Sequence, residues 1–562
     1  MSKRNSGFFS LYPPCSLWFI PSFLLLILAT SAAVADTGGS TPAPEDCPLG
    51  HVSRAVAGPI PKPVISRKKQ LWERRHGGKE AAKPHIVARL SARPSLLLAD
   101  KSSLPQDETE FAWRVARDTW RGLQAFTDKE NGLPVDHVRL SAGPLRAVEP
   151  NPEAHPNGHA AEPSMQDVAG LEVGDYTNVT NIGMRLIAIV AAAELELLSR
   201  DEALAAMRQV LASLEGLETR RGLLFNYYDT TAMERTSNFL SFVDSAWLSA
   251  GLMVARNAFP EVQQRCTKLI ERTDFGFFYD RKTHQIAHGY FADPPGRSPY
   301  DYGMLYTEAR LGSLIAIGKG DVARRHWLAM ARVLPVGCAW QSLPPVATAV
   351  RESEGVRVPF GHYEWKGERF LPSWGGSMFE ALMPTLVLDE AQHAAASLGW
   401  NDRQHAVVQR RYALEELGYP VWGMSPSARP GEAGYSEFGV SVLGVRGYGA
   451  GAVTPHASAL ALAVIPQAAL ANLHKLAELY DIYGEYGFYD AVDPRSGAVA
   501  YSYLALDQSM LFIALANHLK PHCIQKHFTA DPIANSFLPL LKAEDALWLG
   551  DAAAVEDRHG ER

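Results

Sequence analysis

The chain has 562 residues, of which 47% are hydrophobic and 10% aromatic, and its formal net charge is −7. That apolar content supports a large packed core and excludes a disordered or fibrous chain. The acidic balance argues against nucleic acid or an anionic membrane surface as the main partner.

In chain order, Lys3 and Arg4 open a short basic segment, and an apolar run follows from Leu17 to Ala29. Ala33-Val34-Ala35 then supplies small residues in an A-x-A arrangement before Asp36. This is the order of a secretory signal peptide, so residues 1–35 are expected to be removed and the mature protein exported, to the periplasm or outside the cell. The apolar core is interrupted by Pro21 and is short for a bilayer span of about 20 residues, so no stable membrane insertion is expected after cleavage. Residues 36–106 are rich in Pro, Gly and Ser and carry a basic cluster at Arg67, Lys68, Lys69, Arg74 and Arg75; they read as a tether. Cys15 lies in the leader, and Cys47, Cys266, Cys338 and Cys523 remain. None forms a C-x-x-C pair, so spacing announces neither a zinc site nor a disulfide framework, and a Cys266–Cys338 bridge stays open.

From Phe111 the texture becomes helical. The apolar spacing predicts helices near 181–199, from 201, and over 237–258, 261–272, 302–318, 320–333, 377–398, 402–417, 456–480 and 505–518. Aromatic, Gly-rich loops separate them, strands are scarce, and no βαβ rhythm or phosphate-binding Gly loop is present. The reading is an all-α unit over 107–530, with helices mostly in pairs, followed by a C-terminal extension (531–562) whose end is disordered. Periodicity alone does not separate a closed ring of helix pairs from an open superhelix. Loops at one end of such an array make a cleft.

Carboxylates beside aromatics are what sugar chemistry needs, since rings stack on pyranose faces and paired acids cleave the glycosidic bond. Three acids stand in apolar surroundings that would raise their pKa: Asp244, Glu308 and Glu380. Each also has a plain structural reading. Asp244 would serve as a helix cap, Glu308 would pair with Arg310 or Lys319, and Glu380 would be a satisfied buried acid.

The same segments carry a family resemblance. Trp374-Gly375-Gly376-Ser377-Met378-Phe379-Glu380-Ala381-Leu382-Met383-Pro384 resembles the W-S-G-S-M-F-E-Y-L-M-P segment of the glycoamylase-like domain of cyclic β-1,2-glucan synthases. Thr177 to Gly183, Glu308-Ala309-Arg310-Leu311, Trp422-Gly423-Met424-Ser425, Pro455 to Leu462, Tyr486 to Asp493 and Tyr503 to Gln508 follow that domain's order. The likeness spans roughly Phe111 to Phe528. It extends to the secreted endo-β-1,2-glucanases, and implies an (α/α)6 toroid whose loops form a cleft at one end. Their Y-N-E-A segment, which holds the general acid, matches Tyr306-Thr307-Glu308-Ala309; their T-x-D-T-A-L and D-Q-G-P segments match Asp244 and Asp507 with its neighbours.

The resemblance therefore implies Glu308 as proton donor; Glu380, in a synthase-like segment with no clear counterpart in the glucanases, is read as the second carboxylate (nucleophile or base), with Asp244 in support. Asp507, Asp490, Tyr306, Trp374, Trp422, Tyr435, Arg446 and Tyr489 are expected to bind sugar, with Phe488 and His456 as weaker candidates. The synthase domain retains and the hydrolases invert, so stereochemistry stays open. A free domain without the synthase's glycosyltransferase portion is expected to hydrolyse a β-glucan, most directly β-1,2-glucan, or to transglycosylate it. A catalytically silent glycan-binding protein of the envelope is the alternative from another class. No metal or other cofactor is expected, because H-E-x-x-H, clustered His and Asp-rich calcium loops are all missing from the sequence.

Overall fold

The computed structural model describes residues 101–140, 171–338 and 340–559, together with Ile86. The leader and almost all of the tether lie outside the described residues. Among those residues no helix is long and apolar enough to cross a membrane.

Among the described residues, twelve of the α-helices build the frame. They are α1 (Glu108–Ala125), α2 (Val179–Glu194), α3 (Arg200–Gly216), α4 (Phe242–Ala258), α5 (Gln263–Arg272) and α6 (Ala309–Lys319). Then come α7 (Met378–Leu382), α8 (Leu398–Arg411), α9 (Pro455–Leu460), α10 (Pro466–Leu479), α11 (Ala505–Leu519) and α12 (Pro532–His559). Side-chain chemistry sorts them. α2, α4 and α11 are apolar nearly all round and buried on every face, as central helices must be. α3 and α5 bury one stripe and leave charges outside, and α3 begins with a Ser199–Glu202 capping box.

The packing runs in cyclic order. α2 lies on α4, α4 on α6, α7 on α9, α9 on α11, and α11 back on α2. Between α6 and α7 the link is Arg310, whose guanidinium donates to the Glu380 and Ala381 carbonyls at 3.2 and 2.6 Å. Each remaining helix covers one of these six: α1 covers α11, α3 covers α2, α5 covers α4, α12 covers α6, α8 covers α7 and α10 covers α9.

The tightest crossing is at two glycines. A Cβ on Gly251 of α4 would stand 2.4 Å from the Gly183 carbonyl oxygen of α2. Gly251→Ala is expected to force the two central helices apart at a cost of about 1–3 kcal/mol, read as a lower denaturation midpoint. An unchanged midpoint would show that the crossing can relax freely.

Several expectations are corrected. The helix expected over 377–398 is broken, because Pro384 ends α7 in a short turn and Asp389 caps a separate four-residue piece, Glu390–His393. The helix expected from 302 starts only at Ala309, and the one over 320–333 shrinks to Arg325–Ala329. Strands are more numerous than an all-α reading allows, in small two- and three-stranded sheets. The longest sheet is β1 (Val346–Ser353), β2 (Val356–Trp365) and β3 (Glu368–Phe370), paired antiparallel. Its turns are Glu354-Gly355 and Lys366-Gly367, all four residues at positive φ, the backbone that two-residue hairpins require. The packed body also continues past 530: Arg256 holds Asp531 through two 2.6 Å bonds, and Arg332 and Trp327 hold Glu544 of α12. Cys266 and Cys338 are not bridged to each other, since Cys266 is free and Cys338 is disulfide-bonded.

Candidate active site

Each of the six central helices delivers a polar residue at its start. Thr180 is second in α2, Asp244 third in α4, Glu308 immediately precedes α6, Glu380 is third in α7, His456 second in α9 and Asp507 third in α11. First-turn positions suit anions because the N-terminal N–H groups and the helix dipole stabilise negative charge. Thr180 donates to Asp244, the charges of Glu380 and Asp244 act on Glu308, and His456 stands 3.5 Å from Asp507.

Glu308 is 6% exposed, and its carboxyl is pushed up to about 8. Burial is the largest cause, the Glu380 charge the next, and Asp244 adds to it; its own backbone N–H and Arg310 oppose. The ion pairs considered for it do not form, because Arg310 binds Glu390 and Asp402 while Lys319 binds Asp321.

Glu380 is buried to the same degree but in a different way. Its carboxylate accepts from Ser373 Oγ (2.9 Å), the Gly375 N–H (3.0 Å), the Ser377 N–H (3.1 Å) and Ser377 Oγ (3.0 Å). Burial raises its pKa above the ordinary carboxyl value, and those donors offset the rise only in part. It is therefore a capping-box residue and an oriented carboxylate at once. Glu308 is thus displaced to about 8 with no side-chain donor opposing it, while Glu380 is raised by burial against four donors that favour its charged form, a difference of the kind acid–base catalysis by two carboxyls uses.

Asp244 does not cap α4; Ser241 does, accepting from the Asp244 N–H at 3.3 Å. Its Oδ1 accepts from Thr180 Oγ1 at 2.6 Å and its Oδ2 is buried without a partner. Burial raises this acid too. Asp490 and Asp507 form a tight pair. Burial pushes Asp490 to about 6, and burial followed by the charge of Asp490 drives Asp507 well above the usual carboxylate range.

The aromatic expectations divide. Tyr435 is half-buried, and after burial the charges of Asp507 and Asp490 are the main causes raising its phenol, so it stands beside that pair. Trp374 packs on Trp340 with ring centroids 6.0 Å apart, and the exposed Arg446 sets its guanidinium 5.9 Å from the same Trp340 ring; these three form one rim. Tyr306 is corrected to a structural role: it is 1% exposed, donates to Asp402 Oδ1 at 2.6 Å and packs on His405. Tyr489, 0% exposed, lies between Tyr501 and Tyr503, and Phe488 packs on Tyr483, so both belong to the core. Trp422 is buried, with its backbone clasped by Asn472.

Sequence reasoning missed Tyr448 and Tyr302. Glu380, Glu437 and Glu308 add to burial in raising the Tyr448 phenol, while Glu308 and Asp244 do so for Tyr302. Tyr448 lies over Gly375, where any Cβ would stand 2.0 Å from the ring. The glycine in the Trp374-Gly375-Gly376 segment was the available signal, because it marks where a ring meets bare backbone.

Residues 345–532 match the family model described as "Putative glucoamylase". Over 298 residues the chain is 32% identical to the cyclic β-(1,2)-glucan synthase NdvB of Rhizobium meliloti, covering 50% of this chain and 9% of the synthase. The chain thus corresponds to only a small part of that relative's length. An endo-β-1,2-glucanase of Chitinophaga pinensis, solved with sophorotriose and glucose, aligns at TM-score 0.56 and 16% identity over 78% of this chain and 98% of that one. The endo-β-1,2-glucanase of Talaromyces funiculosus, solved with sophorose, aligns at 0.58 and 11% identity over 82% and 93%. These findings bear out the glycoamylase-like resemblance, and the structural likeness shows a fold shared with those proteins.

Proposed function

We propose that this protein is an exported glycoside hydrolase that cleaves β-1,2-glucan at one end of an (α/α)6 toroid. The observation that carries the reading is the pair of buried carboxyls in different settings, Glu308 displaced to about 8 and Glu380 surrounded by donors. Glu308 donates its proton to the glycosidic oxygen as the bond breaks. Glu380 faces the developing positive charge at the anomeric carbon and either attacks it or activates water. Asp244 binds sugar hydroxyls through its open oxygen, and Tyr435, Tyr448 and the Trp340–Trp374 rim supply ring-stacking surface.

The cyclic order of the six inner and six outer helices supports the toroid. The similarity to endo-β-1,2-glucanases and to a cyclic β-1,2-glucan synthase supports the substrate. The disulfide at Cys338 supports export, since such bonds persist in oxidising compartments. Transglycosylation is the second reading, favoured by the synthase-like segment around Glu380: a glucan hydroxyl would replace water as acceptor.

The test is incubation with linear β-1,2-glucan and with β-1,3- and β-1,4-glucans, followed by product sizing. Short linear β-1,2-oligosaccharides are expected; cyclic or lengthened products indicate transglycosylation. Binding of β-1,2-glucan without any product would overturn the enzymatic reading in favour of a silent glycan-binding protein.

A further inference from the structure

We infer that His456, Asp490 and Asp507 form a binding site for one first-row divalent cation, of the Zn²⁺ or Mn²⁺ kind. The three residues come from the start of α9, the start of α11 and the loop between α10 and α11, so no short sequence motif announces them. In space one ligand atom from each lies within 4.8 Å of the others. All three side chains are 1–2% or 3% exposed.

Their open atoms converge. His456 Nδ1, Asp490 Oδ1 and Asp507 Oδ2 are buried without a hydrogen-bond partner, and Nδ1 stands 3.5 Å from Asp507 Oδ2. The outward atoms, by contrast, are engaged. His456 Nε2 lies 3.5 Å from Thr454 Oγ1, and Asp490 Oδ2 accepts from the Ala428 N–H at 2.7 Å. In the tautomer that carries its proton on Nε2, beside Thr454, Nδ1 would present a lone pair to the two carboxyl oxygens. With both carboxyls ionised, three acceptors facing one another are costly in a dry site, so the cluster takes up either a proton between Asp490 and Asp507 or a cation. A cation resolves this, and the outer bonds are the kind that orient metal ligands. The alternative filling of the same space is a proton shared by the two carboxyls.

The donor set narrows the ion. One imidazole nitrogen with two carboxylate oxygens suits Zn²⁺ or Mn²⁺ better than Ca²⁺, which takes about 6–8 oxygens. Three protein ligands leave a coordination position open. Tyr435 is the neighbouring ring at this cluster, so a sugar hydroxyl entering beside it is the natural fourth ligand.

The test does not depend on glucan cleavage. Protein stripped with EDTA and dialysed is titrated with ZnCl₂ and with MnCl₂ by calorimetry, with metal content read by mass spectrometry. One ion per chain is expected, with a rise in melting temperature on addition. Asp490→Asn and His456→Gln, each confirmed folded by circular dichroism in EDTA, are expected to weaken binding at least ~100-fold. Folded wild-type protein that takes up neither ion stoichiometrically, or variants that bind as wild type does, would overturn the site and leave the shared proton in its place.

Discussion

Glu308→Gln is expected to lower turnover on β-1,2-glucan by about 10²–10⁴-fold, the usual contribution of a positioned general acid. The same substitution is expected to stabilise the fold at neutral pH. In the unfolded chain this carboxyl titrates at its ordinary value, whereas burial in the folded protein moves it from 4.5 to about 8. Above the unfolded value the unfolded state releases a proton that the folded state keeps. Stability is therefore fully present at low pH and is lost as pH rises from the ordinary carboxyl range through about 8. At pH 7 the penalty is on the order of 3 kcal/mol, and glutamine, which does not ionise, removes it. Thermal melts at pH 4 and pH 7 check the sign: the variant gains at pH 7 and not at pH 4. Equal effects at both pH values, or preserved turnover, would remove Glu308 from the acid role.

Glu544→Ala is expected to destabilise the protein by about 3–5 kcal/mol, the range for removing one partner of a buried ion pair. Glu544 and Arg332 both have fully buried side chains, and Trp327 donates to the same carboxylate at 3.0 Å. Alanine strands a guanidinium and an indole N–H beneath α12 with no route to water. Urea denaturation gives the measurement, and a change below about 1 kcal/mol would show that water reaches Arg332. A large loss would also establish that a chain cut at 530 lacks part of its own core.

The long apolar helices were legible because their chemistry is local: α2, α4 and α11 announce themselves by unbroken apolar sequence. α7 was not, because its helical period runs on past Pro384 while the backbone does not. The sheet of β1, β2 and β3 was hidden among helices, although a glycine stands in each of its turns, at Gly355 and Gly367. In the site, Glu308 and Glu380 could be singled out because each carboxyl sits in an apolar run. Their different settings could not, since those depend on Ser373, Gly375 and Ser377 closing around Glu380 and not around Glu308. Tyr306 misled for a related reason: adjacency to Glu308 in sequence placed it in the cleft, but its hydroxyl turns back to Asp402. The convergence of His456 with Asp490 and Asp507 is purely tertiary and leaves no trace in spacing.

The measurement that bears most directly on the central claim is the pH dependence of kcat/KM on linear β-1,2-glucan. With Glu308 as acid and Glu380 as carboxylate, activity falls on the alkaline side as Glu308 loses its proton near pH 8. It falls on the acid side as Glu380 gains one, above the ordinary carboxyl range. A profile still flat well above pH 8, or reducing ends released undiminished by Glu308→Gln, would contradict the account.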